Sequence, residues 1–380
     1  MGFGKFQIML ILQSVLFAGL AIADAAVENN IERSFQVASG GRLTIDAERG
    51  SIEVRTADRD FVDVEIERKV KRGGKWSVEE VLEDLAITFD HSDDGVTIRA
   101  EYDQENRRRW NRERNRLRIK FLITVPQRYN VDLKTLGAGI SIGDLEGEVR
   151  SQTAGGNLQI GSIKGPVWGQ TTGGNIKLEG TEGDVDLKTS GGGITIGSVE
   201  GAIEAITSGG SIRIDEATGS VNAKTSGGGI TIGSVGGAVE AVTTGGSIRI
   251  DRAGGVNAKT SGGGITVEEV MGSINAKTFG GSIKTYISRQ PEEGCSLETS
   301  GGSVTAYLVE DIAIDVEAQA SGGHVSTDVP IIVQGKIREN RLQGAINGGG
   351  PVLKLRTFGG NIRLHPKPIV ESRRENEKTR

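Results

Sequence analysis

Two carboxylates one repeat apart are the sharpest chemical feature of the sequence. Asp186 and Glu204 are 18 residues apart and hold equivalent positions in VDLK and IEAI. On stacked neighbouring strands their carboxylates would lie about 5 Å apart, as in a retaining glycosidase. However, Lys188 flanks the pair, and no aromatic platform for a sugar lies nearby in the sequence. We therefore expect a protein that is not an enzyme, with polysaccharide cleavage as a remote alternative.

A second feature, the basic cluster, could contact an anionic surface. The segment 101–120 reads EYDQENRRRWNRERNRLRIK and carries few carboxylates. It is interpreted either as a solvated loop between two strands or as a contact with lipid head groups or anionic polymers, with Trp110 inserting or stacking. The residues of the basic cluster are Arg107, Arg108, Arg109, Trp110, Arg112, Arg114 and Arg116.

A third feature, the basic stripe, depends on the repeat. A basic residue recurs at every second repeat, and the intervening repeats carry Thr195, Thr231 and Thr266 at this position. The column is either an ordinary solvated face or a contact for an acidic glycan. Its basic residues are Lys177, Arg213, Arg249 and Lys284.

The repeat itself must position these groups. A Thr before a Gly pair recurs every 18 residues from Thr135 to Thr243, and with small shifts to Thr299. Each unit contains I-x-I and V-x-A-x-T, whose alternation indicates half-buried strands. One coil cannot bury its own inner face, so coils must stack. The sequence predicts an all-β fold, a parallel β-solenoid with about 18 residues per coil, favoured as a right-handed β-helix. We expect the Gly pairs to take positive φ at the corners.

The chain divides into five predicted segments. An apolar core followed by AIADAA is typical of a cleaved signal peptide, with an uncleaved membrane anchor as the alternative. The segments are a signal peptide (1–25), an N-terminal β-rich mixed cap with one short helix (26–133), the solenoid repeats (134–329), irregular C-terminal coils and cap (330–365) and a polar disordered tail (366–380). Ser77 and Glu80 are spaced as a capping box for the short helix.

Composition excludes several classes of function. The formal net charge is only -5, and the chain is expected to be exported, so nucleic acid is not an expected partner. The single cysteine, Cys295, cannot form an internal disulfide and is interpreted as a buried filler. The three histidines, His91, His324 and His365, are scattered and predict no metal site. We expect a monomer without a cofactor.

Two stretches carry a resemblance to a known family. FLITVPQRYNVDLKTLGAGISIGDLEGEV, the serial T-x-G-G-x-I units after it and the late INGGGPVLKLRTFGGNIRL resemble the bacterial adhesin-like domain family of unknown function (the domain of unknown function 4097 type), which is related to the auto-transporter adhesin head GIN domain. The resemblance covers about residues 30–365. It implies an exported or envelope-facing β-repeat protein and supplies no catalytic residues.

The sequence therefore predicts a non-enzymatic exported protein, periplasmic, secreted or at the outer surface. Its rigid solenoid would serve adhesion or bind envelope glycans or anionic polymers. The partner is expected to be an envelope glycan, a lipid head group or an envelope protein. The alternative is a structural or stress-related envelope protein without a specific ligand.

Overall fold

The computed structural model describes residues 26–92, 95–102, 113, 115–333 and 338–368. The predicted signal peptide, nearly all of the predicted tail and every residue of the basic cluster except Arg116 lie outside this set. Within the described residues, no helix has the length and apolar character needed to cross a membrane.

The described residues form 35 strands and one short helix. The N-terminal elements are β1 (Val27–Glu28), β2 (Ile31–Gln36), β3 (Arg42–Ala47), β4 (Ser51–Ala57), β5 (Phe61–Val70), α1 (Val78–Glu83), β6 (Leu85–Ser92), β7 (Gly95–Tyr102) and β8 (Leu117–Pro126). The repeats contain β9 (Asn130–Thr135), β10 (Ile140–Ile142), β11 (Leu145–Glu146), β12 (Val149–Thr153), β13 (Leu158–Lys164), β14 (Val167–Gln170), β15 (Ile176–Thr181), β16 (Val185–Lys188), β17 (Ile194–Val199), β18 (Ile203–Ile206), β19 (Ile212–Ala217), β20 (Val221–Lys224), β21 (Ile230–Val235), β22 (Ala238–Val242), β23 (Ile248–Arg252), β24 (Gly255–Lys259), β25 (Ile265–Val270), β26 (Ile274–Thr278) and β27 (Ile283–Ile287). The C-terminal strands are β28 (Cys295–Thr299), β29 (Val304–Leu308), β30 (Ile314–Ala320), β31 (Val325–Thr327), β32 (Ile332–Val333), β33 (Arg341–Ile346), β34 (Val352–Thr357) and β35 (Ile362–Pro366).

Two parallel sheets, wall A and wall B, enclose a thin aliphatic core. The strand after each Gly pair belongs to wall A, as β17 does between β15 and β19. The next strand along the chain belongs to wall B, as β18 does between β16 and β20. Ile194, Ile203 and Ala205 point inward and are at most 2% exposed. The predicted parallel solenoid is confirmed, and its right-handedness stays a prediction.

The Gly pairs are required by close contact between coils. A Cβ added to Gly210 would lie 2.2 Å from the carbonyl oxygen of Gly192 in the preceding coil. Among the described residues, no glycine of a T-x-G-G pair has a positive φ. The glycines that do have one include Gly147 and Gly165, which lie outside these corners. The expectation of positive φ at the pairs is therefore wrong. The corner turns with ordinary backbone angles, but it stacks on the corner below with no room for a side chain.

The Thr before each Gly pair forms a buried ladder that the repeat pattern did not predict. The Thr207 hydroxyl is buried and donates a 2.7 Å hydrogen bond to the Gly192 carbonyl of the preceding coil. Because an unpaired hydroxyl in an apolar core is costly, this bond accounts for a polar residue at an inward position. Equivalent bonds come from Thr135, Thr153, Thr171, Thr189, Thr225, Thr243, Thr260, Thr278, Thr299 and Thr357.

At the N-terminal end, the coils are not stacked in sequence order. Strands β3 and β4 form one coil, which pairs in parallel with β9 and β10 on one side. On its other side the same coil pairs in parallel with β7 and β8, which follow it in the chain. This corrects the expected start of the solenoid at residue 134. The coil of β3 and β4 has an A-E-R-G corner and lies out of phase with the repeats, so periodicity does not reveal it.

Antiparallel strands cover the outermost N-terminal coil. In wall A, β5 pairs with β8 and β2 pairs with β5, while in wall B, β6 pairs with β7. The helix α1 begins with the predicted capping box, in which the Glu80 amide donates to the Ser77 hydroxyl and the Ser77 amide donates to the Glu80 carboxylate. An exposed parallel edge is thereby replaced by strands that end the stack.

The C-terminal end shows the same interleaving. Strand β34 lies between β28 and β30 in wall B, and β35 lies between β29 and β31 in wall A. The last coil in the sequence is thus one position inside the end of the stack, and the antiparallel strands β33 and β32 close wall B. The segment 330–365 was expected to be irregular and to close this end. Its first half, which contains β32 and β33, does close wall B, but its second half is a regular coil held between two others.

The corner contact predicts different effects for two Gly→Ala changes. Gly210→Ala should lower the free energy of unfolding by about 1–3 kcal/mol, because the new methyl group must push two coils apart. Gly137→Ala, in the T-L-G-A corner at 135–138, where an added Cβ meets nothing within 4 Å, should change it by less than about 0.5 kcal/mol. Urea unfolding followed by circular dichroism measures both. Equal effects of the two changes would contradict the contact argument.

Candidate functional site

The outer face of wall A aligns the basic stripe. Lys177, Arg213, Arg249 and Lys284 stand on every second strand, in register with the intervening threonines. The column continues beyond the predicted stripe through Thr305 to Arg363. The repeat does not predict Arg363, because β35 lies beside β29 although the two strands are not in consecutive repeats.

Carboxylates accompany most of the stripe. Lys177 lies 3.5 Å from Glu179. Arg249 lies 3.2 Å from Asp251 and 3.1 Å from Glu268. Exposed pairs of this kind add little stability, but they compensate the positive charge locally. Over this part of the stripe, wall A has little net attraction for an anion.

The last three coils of the stripe differ, and together they form a site that we name the C-terminal patch. The rings of Tyr286 and Tyr307 stack with centroids 4.3 Å apart, and the Tyr307 and His365 rings follow at 5.3 Å. These rings occupy the positions where Glu179, Asp215 and Asp251 stand in earlier coils, so the outward positions of β27, β29 and β35 carry no carboxylate. The patch comprises Lys284, Tyr286, Thr305, Tyr307, Arg363 and His365.

The rings and cations of the patch are held in defined positions. The Lys284 ammonium lies 4.9 Å from the Tyr286 ring centroid and 5.5 Å from that of Tyr307. A hydrogen bond with Tyr286 raises the pKa of Lys284, so its positive charge is retained. Nδ1 of His365 lies 2.6 Å from the Asp328 carboxylate, which fixes the ring at the far end of the stack. Lys367 adds a cation at the margin, where its ammonium donates to the Ser288 hydroxyl at 2.7 Å.

Part of the patch could have been found in the sequence. KTYI and TAYL share the same spacing between the stripe position and the ring. Because adjacent coils stack in register, this spacing places Tyr286 and Tyr307 side by side. RLH fits the same pattern, but nothing in the sequence shows that Arg363 and His365 lie beside Thr305 and Tyr307.

The carboxylate pair on wall B is bridged by a lysine. Asp186 and Glu204 are paired in register, as predicted from their spacing. The Lys188 ammonium lies 3.1 Å from Asp186 and 3.0 Å from Glu204, and hydrogen bonds to Glu204 and then Asp186 raise the pKa of Lys188. A glycosidase pair needs two carboxyl groups free to act on the sugar, whereas both carboxylates here are bound to the same lysine. The arrangement is that of a surface ion-pair network. No His, Cys, Asp or Glu group suited to a metal ion occurs among the described residues.

Arg116 of the basic cluster faces inward. Its guanidinium lies 2.7 Å from the Glu113 carboxylate and donates to the carbonyl oxygens of Trp76 and Lys71 at 3.0 and 2.8 Å. Its side chain is only 12% exposed. This corrects the expectation that Arg116 contacts an anionic surface, because its donors are already used. The contact stays a prediction for the rest of the cluster, which lies outside the described residues.

A groove of about 680 Å³ lies near the N-terminal end, away from the C-terminal patch. Its lining mixes the cations Arg49, Lys69, Arg118 and Lys120 with the carboxylates of Glu48 and Glu67. Lys69 also lies 3.0 Å from Glu28, and Lys120 lies 2.7 Å from Glu53. Paired cations of this kind bind an external anion less readily than those of the patch. The patch is therefore the stronger candidate site.

The fold and site define a two-walled parallel β-solenoid whose outer face carries aligned polar, basic and aromatic columns. The chain belongs to the Toastrack DUF4097 family, whose model matches residues 41–261. The match begins one residue before β3, and so includes the displaced first coil.

The solved structures that the chain matches are distant in sequence. A candidate adhesin from Parabacteroides merdae is 11% identical, with 67% of this chain and 95% of that chain covered and a TM-score of 0.36. A candidate adhesin from Bacteroides fragilis is 14% identical, with 89% of this chain and 97% of that chain covered and a TM-score of 0.27. A candidate lipid-binding protein from Parabacteroides distasonis is 10% identical, with 88% of this chain and 96% of that chain covered and a TM-score of 0.22. No curated protein matches the chain. The ligand must therefore be argued from the chain's own residues.

The buried pair of Glu113 and Arg116 predicts a pH-dependent contribution to stability. The hydrogen bond from Arg116 lowers the pKa of Glu113 in the folded protein. Its stabilisation is therefore fully present above the ordinary carboxyl pKa of about 4.3 and is lost as the pH falls through the lowered folded value. Glu113→Gln should be less stable than the parent protein at pH 7, and the difference should shrink on acidification. Urea unfolding at several pH values checks this, and a difference independent of pH would contradict it.

Proposed function

We propose that the protein is a non-enzymatic exported protein that binds an anionic glycan or polymer of the cell envelope through the outer face of wall A. One observation carries the proposal: in the last three coils, stacked rings replace the carboxylates that accompany the stripe cations elsewhere. Lys284 and Arg363 therefore have no carboxylate on their own strands, and Glu268, on the strand beside Lys284, is already paired with Arg249 at 3.1 Å. Cations without such partners attract an anion, and adjacent rings provide apolar contact area.

A rigid solenoid suits this role. The coils are fixed in register by backbone pairing and by the Thr ladder, so the columns of wall A do not need to be ordered when a ligand binds. Preorganised groups bind without the entropic cost of ordering flexible side chains or loops. The lysine-bridged pair of Asp186 and Glu204 supports a binding role over a catalytic one. A structural envelope protein without a specific ligand is the alternative, and it gives no reason for the change of residues at the patch.

The patch predicts a charge-dependent and local loss of binding. The double variant Lys284→Ala, Arg363→Ala should bind alginate, an acidic polysaccharide, at least about tenfold more weakly, because charge-assisted hydrogen bonds contribute about 1.5–3 kcal/mol each. Arg249→Ala removes a cation that is already paired with Asp251 and Glu268, and should change the affinity little. Isothermal titration calorimetry at low and moderate salt measures both, with dextran as the neutral control. Equal binding of alginate and dextran, or no binding of either, would contradict the proposal.

Export is part of the proposal and rests on the N-terminal segment of the sequence. If the segment is cleaved after Ala25, the mature protein begins at Ala26, one residue before β1. N-terminal sequencing of the protein recovered from an expressing bacterium tests this. Recovery of the intact N-terminus in the membrane fraction would favour the anchored alternative.

A further inference from the structure

Two exposed phenylalanines extend the C-terminal patch onto the edge of the solenoid. Phe279 and Phe358 follow the corner Thr, and their side chains are 61% and 68% exposed. In the central repeats the same position holds small polar residues: Thr172, Ser190, Ser208, Ser226, Thr244 and Ser261. The corner therefore does not require an aromatic side chain. A large apolar group kept in water at two such positions suggests a contact with something outside the chain.

The two phenylalanines lie in the same coils as the two cations of the patch. The corners of β26, β28 and β34 are in register, so Phe279, Ser300 and Phe358 form one column. The wall A strands that follow carry Lys284, Thr305 and Arg363. Each outer coil of the three thus pairs an exposed Phe with a cation, and the middle coil has a hydroxyl at both positions. The pair of an exposed Phe and a cation recurs after two coils, which is a distance of about 10 Å at the strand spacing of a parallel sheet.

The spacing of about 10 Å between the two cations fits some classes of polyanion better than others. A nucleic acid strand carries one phosphate per about 3.4 Å, far denser than the cations of the patch. A membrane surface presents head groups without a fixed period. A linear polysaccharide with one acidic sugar in every disaccharide repeats its charge after two rings, and the C–H faces of its rings can pack on aromatic side chains. Its neutral sugar would face the hydroxyls of Ser300 and Thr305.

We infer that the C-terminal patch, with Phe279 and Phe358, binds a linear acidic polysaccharide that runs along the solenoid axis and carries an acid on every second sugar. This inference rests on the proposed function and specifies its ligand. The cations of Lys284 and Arg363 bind successive acidic groups. The two Phe rings line one side of the chain, and the stack of Tyr286, Tyr307 and His365 lines the other.

The test uses hyaluronan oligosaccharides, which carry one glucuronate per disaccharide, and the full purified protein. A disaccharide offers one acidic group and a tetrasaccharide offers two, so the affinity should rise at least about tenfold between them and little beyond the hexasaccharide. Polygalacturonate, with an acid on every sugar, should bind more weakly per oligosaccharide of equal length. Calorimetry with each ligand measures these affinities. An affinity that rises steadily with length or with charge density would overturn the inference.

Variants separate the inference from the proposed function. Phe279→Ser, Phe358→Ser restores the residue usual at the corner and should weaken hyaluronan tetrasaccharide binding by about tenfold. Leu136→Ser, an exposed apolar residue of the same column at the other end of the solenoid, should leave it unchanged. Circular dichroism and the thermal midpoint confirm that both variants fold. If the Phe variant binds normally while Lys284→Ala, Arg363→Ala does not, the inference fails and the proposed function stands. If neither variant loses binding, both fail. Equal competition by single-stranded DNA or by phosphatidylglycerol vesicles would also overturn the inference.

Discussion

The backbones of successive coils approach so closely at the T-x-G-G corner that one added Cβ would collide with a carbonyl oxygen of the coil before. A corner that admits no side chain allows only one stacking of coil upon coil. The Thr hydroxyls of the ladder, each bonded to a backbone carbonyl of the neighbouring corner, hold the same register from within. Since wall B ends at this corner and wall A begins there, the inward columns and the outward columns follow from it. A shift of one residue would turn the inner faces of both walls toward solvent.

The two ends of the stack are built so that few strand edges stay unpaired. A solenoid whose coils all stack alike leaves an unpaired edge at each end, which invites further copies to add. Here the first and the last coils of the sequence are drawn one position inward, between neighbours on both sides. The outermost coils are internal segments of the chain, and antiparallel strands follow them in both walls at the N-terminal end and in wall B at the C-terminal end. The terminal coils therefore have two neighbours each, and they can leave only if those neighbours separate.

Fixed register also turns single substitutions into surface columns. A substitution in one coil changes one residue of a surface column, and the same substitution in successive coils changes the whole column. Over the central repeats the outer face of wall A keeps its cations beside carboxylates. In three coils at the C-terminal end, rings replace the carboxylates, and in the outer two of these coils phenylalanines replace the small corner residues. The departure affects two columns at once and remains within one area, which distinguishes a site from ordinary variation of a solvated face.

The sequence by itself determined the solenoid, its coil length, its inward columns and the alignment of Lys177, Arg213, Arg249 and Lys284, because a period of 18 residues fixes which positions stack. Only the tertiary structure showed that β3 and β4 are a coil, that Arg116 is bound internally, and that Arg363 and His365 complete the patch. These features depend on pairing between segments that the repeat does not connect, and periodicity reports only coils adjacent in the chain. The glycines illustrate the same limit. Their recurrence marked the corners, but their reason, a contact between two backbones, exists only once the coils are stacked.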